Sequence, residues 1–239
     1  MNILLASGSP RRRELLSSAQ IDFITMSIDI DETPYDNESP KDYIQRMVAT
    51  KADAAIIQLN AEYQHNRSKP AAFSTSFIIL TADTIGVLPD GSTVLVKPTD
   101  RNHAYSMWQK MSDNTHQVWT AVQATQVSWL PEKRPKELLA NPTDMDQKAD
   151  DKQTLQALWQ QQIIEQTEVT FVPLTPEMMA DYWESGEPAD KAGGYAIQGL
   201  AAAWVTHING SYTNVVGLPL AQTLVLIDEA NKNHQTSVR

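Results

Sequence analysis

The stretch Ile3-Leu4-Leu5-Ala6-Ser7-Gly8-Ser9-Pro10-Arg11-Arg12-Arg13-Glu14-Leu15-Leu16 decides how the rest of the chain is read. A short apolar run ends in small residues and passes at once into a helical pattern. Ser9 stands where an N-cap is wanted, and Pro10 fits the first helical position, where its missing N–H costs nothing. Three arginines then crowd the first turn, where the helix dipole is already positive and each cation is unfavourable by about 0.3–1 kcal/mol. Exposed N–H groups, a glycine turn and surplus guanidinium groups suit a bound anion, phosphate above all. The plainer reading is a solvated basic helix end.

Outward from this opening, residues 23–28 alternate at period two and read as a strand running into the acidic loop 29–40. A helix is expected over 41–59, with Ile44, Met47, Val48, Ala52, Ala55, Ile56 and Leu59 on its apolar side. Lys51 falls on that side too. It either lays its stem along the core or points into an anion site. Residues 60–76 read as a polar loop.

Phe77-Ile78-Ile79-Leu80 is the continuous apolar run of a strand buried on both faces. It is expected to end at Thr81-Ala82-Asp83-Thr84, which puts Asp83 at a strand's C-terminal end, where open α/β sheets bind ligands. A hairpin over 85–88 and 93–96 then delivers Lys97-Pro98. A helix capped by Thr99 or Asp100 follows to about 111, and 117–130 is a long strand pattern.

Residues 129–166 read as an insertion at a sheet end: a Pro-rich polar loop, then a short helix over 154–164 carrying Leu155, Leu158, Trp159 and Ile163. A strand at 168–171 and a helix over 176–183 lead to the glycine-containing stretch 187–199. That stretch contains neither G-x-G-x-x-G nor a P-loop, so its glycines read as close backbone approach to a ligand. A strand over 202–208, a hairpin-type turn at 209–212 and a last helix to about 230 complete the chain.

With 239 residues, 41% of them hydrophobic, the chain can bury a core as one large domain or two closely joined lobes. Its net charge of −10 argues against a general nucleic-acid binder, although a local basic cluster can prevail inside a cleft. The absence of cysteine excludes disulfides, thiolate metal sites and a cysteine nucleophile. No run is long enough for a membrane span, and no signal peptide is evident, so a soluble, cytoplasmic protein is expected. The five histidines have no zinc-like spacing, and no G-x-S-x-G elbow is present. What remains is Arg11, Arg12, Arg13, Lys51, Lys97 and Lys191 against Glu32, Asp83 and Asp190. Cations to clamp phosphates and carboxylates to hold Mg²⁺ or activate water are the parts for hydrolysing a nucleoside triphosphate.

Ser7-Gly8-Ser9-Pro10-Arg11-Arg12, the Lys51-Ala52 pair, Ala82-Asp83-Thr84, Lys97-Pro98 and the 187–199 stretch occur in an order that resembles the Maf family of nucleotide pyrophosphatases. Residues 129–166 depart from the family pattern. The resemblance implies an α/β fold, with a twisted mixed sheet flanked by helices and two lobes around a central cleft. It implies a single domain over 1–239, commonly in a homodimer, that hydrolyses a nucleoside triphosphate to the monophosphate and pyrophosphate with Mg²⁺ or Mn²⁺. By motif, Asp83 is the proton acceptor, and Ser9, Arg11, Arg12, Lys51 and Lys97 hold the phosphates. Glu32 and Asp83 are the metal ligands. Arg12, Thr84 and Gln198 resemble the family's base selectors, and Ile197-Gln198-Gly199 matches the group acting on dTTP and UTP. An amide can serve the O4/N3 edge of thymine or uracil as both donor and acceptor. The rivals are the sister activity on 7-methyl-GTP and a non-catalytic nucleotide-binding regulator of cell division.

Overall fold

The computed structural model describes residues 1–66, 73, 76–131 and 153–237, with backbone alone at Asp190 and 234–237. In chain order its elements are β1 (Ile3–Ala6), α1 (Pro10–Ser18), β2 (Ile24–Met26), α2 (Pro40–Asn66), β3 (Phe77–Val87), β4 (Val94–Leu95) and α3 (Arg101–Met111). There follow β5 (Thr115–Pro131), β6 (Gln153–Phe171), α4 (Pro176–Glu184), three 3₁₀ turns, β7 (Val205–Asn209), α5 (Tyr212–Val216) and α6 (Leu220–Ser237). One seven-stranded mixed sheet runs β2-β1-β3-β5-β6-β7, with β4 also on β3. The α/β class expected from sequence is what is found.

Strand β3 is the spine. Phe77 and Ile79 pack on α2 through Ala55 and Leu59, while Ile78, Leu80 and Ala82 pack on α1 and α6 through Leu16, Leu226 and Ile227. Burial on both faces is why the run is apolar without alternation. A separate core gathers Trp108, Phe171, Met179, Tyr182 and Trp204 between α3, α4 and the far end of β5 and β6. At Asp100, the side chain caps α3 by accepting from the His103 N–H at 2.8 Å.

Four expectations are corrected. First, β3 does not end at Asp83. It pairs with β5 from Phe77 to Val87 without a break, so Asp83 is mid-strand. On its other edge β3 takes β1 in parallel at residues 78–80 and β4 antiparallel at 86–87. Residues 81–85 of that edge therefore face a gap where one neighbour has stopped and the next has not begun. Second, the 154–164 helix is absent, because Gln153–Phe171 is one strand paired with β5 along its length. Residues 129–131 and 153–166 thus belong to the sheet, and 132–152 lie outside the described residues. Third, α2 runs on to Asn66, seven residues beyond the expected end. Asn60 supports the extension, accepting from Leu155 N–H at 2.7 Å and donating to its carbonyl at 3.2 Å. Fourth, 209–212 is not a hairpin: the Ser211 hydroxyl accepts from Asn214 N–H and caps α5. Among the described residues no helix is long and apolar enough to cross a membrane.

Candidate active site

The gap on β3's edge opens into a cleft of about 550 Å³, whose wall includes Ser9, Glu32, Lys51, Asp83, Lys97 and Gln198. Asp83 reaches it because strand residues alternate faces, and Thr81, two positions earlier on the same face, bonds the Val48 carbonyl of α2 at 2.8 Å. Helix α2 supplies Lys51 from the turn following Val48, so strand and helix bring the two together. The Lys51 ammonium donates to Asp83 Oδ1 at 2.5 Å and lies 3.0 Å from Glu32 Oε1. Lys97, from the segment after β4, lies 3.4 Å from Glu32 Oε2. Two carboxylates thus converge on one ammonium. Lys51 and Asp83 have side chains only 10% and 13% exposed, whereas Lys97 is 62% exposed.

Burial alone would raise the Glu32 carboxyl, but Lys51 and Lys97 outweigh it and hold the group below its ordinary value. Glu32 sits in a loop without helix or strand, and sequence reasoning missed what holds that loop. The Tyr43 hydroxyl donates to the Glu32 carbonyl at 2.9 Å, and Arg46 donates to the Thr33 carbonyl and doubly to Glu38. Burial, followed by the charges of Asp83 and Glu32, pushes the Tyr43 hydroxyl up to about 12. The signal was present: Tyr43, Met47 and Lys51 lie at successive four-residue steps, one helical face.

Ser9 occupies the N-cap position before Pro10, yet its hydroxyl makes no cap bond. Arg11 lines the cleft, whereas Arg13 is exposed elsewhere. Arg12 differs from the surplus cation expected of it. Its guanidinium donates to the Gly217 carbonyl at 2.8 Å, to Ser7 Oγ at 3.1 Å and to Thr84 Oγ1 at 3.1 Å. It therefore ties α1 to β3 and α5 while still lining the cleft. Thr84 is fixed further by Thr120, 3.0 Å away, whose own hydroxyl donates to the Asn214 carbonyl. Arg12 and Thr84, expected as two selectors, are in direct contact. Gln198 lines the same cleft, exposed, with no hydrogen bond to the described residues.

Another part of the wall is formed by Lys191, Ala192, Tyr195, Ala196 and Ile197. Gly193 and Gly194 have φ of 69° and 65°, values that disfavour any side chain, and Trp108 donates to the Gly193 carbonyl at 3.1 Å. Tyr195 bonds through its hydroxyl to His116 Nε2 at 2.7 Å. His116 is fully buried, and burial pushes its pKa down to about 4. The Lys191 ammonium donates to the Glu187 carbonyl at 2.7 Å.

Glu32 and Asp83 are the donors available to a divalent cation, and their chemistry fits one. Mg²⁺ and Mn²⁺ take hard oxygen ligands and complete their shell with water and phosphate, so two carboxylates suffice. Among the described residues no group of three His, Cys, Asp or Glu side chains gathers into a denser site.

Comparison with known proteins places the whole chain among relatives. The chain is 64% identical over 233 residues to the dTTP/UTP pyrophosphatase of Psychrobacter cryohalolentis, covering 97% of this chain and 98% of that one. It is 63% identical over 231 residues to the enzyme of the same name from Psychrobacter arcticus, covering 96% and 95%. The identity to the Pseudoalteromonas atlantica dTTP/UTP pyrophosphatase is 38% over 233 residues, covering 98% and 99%. The family described as Maf-like protein matches residues 2–230, so the chain belongs to the Maf family.

Proposed function

We propose that this chain hydrolyses dTTP and UTP to the nucleoside monophosphate and pyrophosphate. The observation that carries the reading is the sharing of Lys51 by Asp83 and Glu32 at the gap in β3's edge. Carboxylates beside a phosphate site repel the ligand unless they hold a cation or take a proton, and both uses serve hydrolysis. The names of the similar Psychrobacter enzymes supply the substrate class.

In this reading water adds across the anhydride between the α and β phosphorus atoms, and Asp83 takes the proton that water loses. A positioned general base is worth about 10²- to 10⁴-fold. Lys51 turns from its carboxylates toward the incoming phosphate, and Arg11, Lys97, Ser9 and the free N–H groups of α1 take the rest of the chain. Glu32 and Asp83 would hold Mg²⁺ or Mn²⁺, which supplies charge neutralisation at the phosphates. Arg12 and Thr84 shape the site as a fixed pair, and the Gln198 amide meets the pyrimidine edge.

The test is purified protein with Mg²⁺ or Mn²⁺, a nucleotide panel that includes 7-methyl-GTP, and separate detection of pyrophosphate and phosphate. Pyrophosphate released from dTTP and UTP above all others supports the reading. Release from 7-methyl-GTP alone, or tight binding without turnover, contradicts it.

A further inference from the structure

The cleft wall from Tyr195 to Gly199 belongs to no helix or strand, yet its backbone is tied at both ends by one pair of side chains. The Tyr182 hydroxyl accepts from the Ala196 N–H at 3.1 Å and donates to Glu187 Oε1 at 2.8 Å. The other carboxylate oxygen, Glu187 Oε2, accepts from the Leu200 N–H at 3.1 Å. Between these two ties lie Ile197, Gln198 and Gly199. The chain passes so close over the carboxylate that a Cβ at Gly199 would lie 2.0 Å from Glu187 Oε1. Tyr182 is itself buried on α4, its ring 5.4 Å from that of Trp108 and 4.6 Å from that of Trp204. Burial, with Glu187 adding to it, raises the Tyr182 hydroxyl above its ordinary value, so it remains a donor. The anchor is therefore in the core and the anchored turn is at the cleft, with Gln198, which hydrogen-bonds to no other described residue, between the two ties.

We propose that Tyr182 and Glu187 are specificity-positioning residues, which fix the 196–200 turn so that Gln198 presents its amide to the pyrimidine edge. The inference rests on the reading of Gln198 given under Proposed function. Neither residue reaches the reacting atoms. Their effect falls on which base is accepted, because a mobile turn forfeits the hydrogen bond to the right base and loses nothing with the wrong one.

The experiment compares Tyr182→Phe, Glu187→Gln and Gln198→Ala, each as the full chain, with dTTP, UTP and CTP and with thermal melting in parallel. CTP differs from UTP at the base edge, and is measured as substrate or as competitive inhibitor. Tyr182→Phe keeps the ring, and Glu187→Gln keeps the shape. The expected result for both is kcat on UTP retained, KM for UTP raised about three- to tenfold, and CTP unchanged, the scale of one net hydrogen bond. Gln198→Ala shows the same loss, and combining it with Tyr182→Phe adds nothing further. If Gln198→Ala lowers the UTP/CTP ratio while Tyr182→Phe and Glu187→Gln leave it alone, the positioning role is overturned and the reading of Gln198 stands. If Gln198→Ala leaves the ratio unchanged, the reading of Gln198 falls and takes this inference with it. An equal loss of kcat with every nucleotide in the two anchor variants, accompanied by a lower melting temperature, makes the pair merely structural.

Discussion

The two ends of the cleft are built by opposite means. At one end Glu32, Lys51, Asp83 and Lys97 come from four separate segments, and side-chain charge sets their arrangement. At the other, backbone forms much of the wall, and buried polar groups hold it through Gly193, Tyr195, Ala196 and Leu200. The charged end carries free energy that is realised when a polyanion replaces one set of ion pairs with another. The tethered end is held by hydrogen bonds within the chain that need no ligand. The function proposed above, chemistry on phosphates with a choice among bases, would draw on both properties.

Lys51 breaks the comparison most severely. It is the buried ammonium shared by two carboxylates, and its removal leaves them facing each other. Lys51→Ala is expected to destabilise the protein by about 3–5 kcal/mol, the usual result of unpairing a buried ion pair. Denaturant unfolding measures the loss, and adding Asp83→Asn should recover part of it.

The tethered end answers to pH instead. His116 has a folded-state pKa of about 4 against an ordinary 6.5, so as pH falls the unfolded chain takes up the proton first. Stability present above pH 6.5 is therefore lost between about 6.5 and 4, by about 3 kcal/mol in all. Melting followed across that window should show a slope that flattens in His116→Gln. An unchanged slope in the variant removes His116 as its source.

Arg12 belongs to both ends. Because its guanidinium satisfies Gly217, Ser7 and Thr84, Arg12→Ala is expected to destabilise by about 2 kcal/mol and to weaken nucleotide binding together. Wild-type melting with weaker binding would return it to the role of a surplus cation. The smallest structural effect is expected at Lys97, whose pair with Glu32 is largely exposed. Lys97→Ala should change stability by under about 1 kcal/mol while raising KM for the nucleotide. Steady-state kinetics beside a melting curve separates the two.

Much of the charged end is legible in the sequence, because Arg11, Lys51, Asp83 and Lys97 are residue types whose presence in or beside apolar elements needs a reason. Asp83's place at a gap is less so, since strand 77–87 shows no break where β1 stops and β4 begins. The helix expected over 154–164 fails for an identifiable reason. Leu155, Trp159 and Ile163 recur every fourth residue, which fits a helix. In the sheet, Gln126 pairs with Trp159 and Val127 with Ala157, so Leu158 is bulged out of register. The bulge shifts the faces: Leu155 packs with Phe77 and Val127 on one side, Trp159 and Ile163 with Val122 on the other. Pairing with β5 overrides the local pattern. The tethers of the 187–200 stretch were invisible for another reason, since Tyr182, Trp108 and His116 read as ordinary core until their polar atoms are traced to the turn.

The central claim of the proposed function is that turnover needs Asp83 far more than nucleotide binding does. Asp83→Asn keeps the shape and removes both the proton acceptor and the charge. Pyrophosphate release from dTTP, measured beside calorimetric titration with the same nucleotide, should show kcat lower by about 10²-fold or more with affinity kept or increased. Turnover near that of the wild type, with the fold intact, would contradict the account and leave Glu32 as the remaining carboxylate able to activate water.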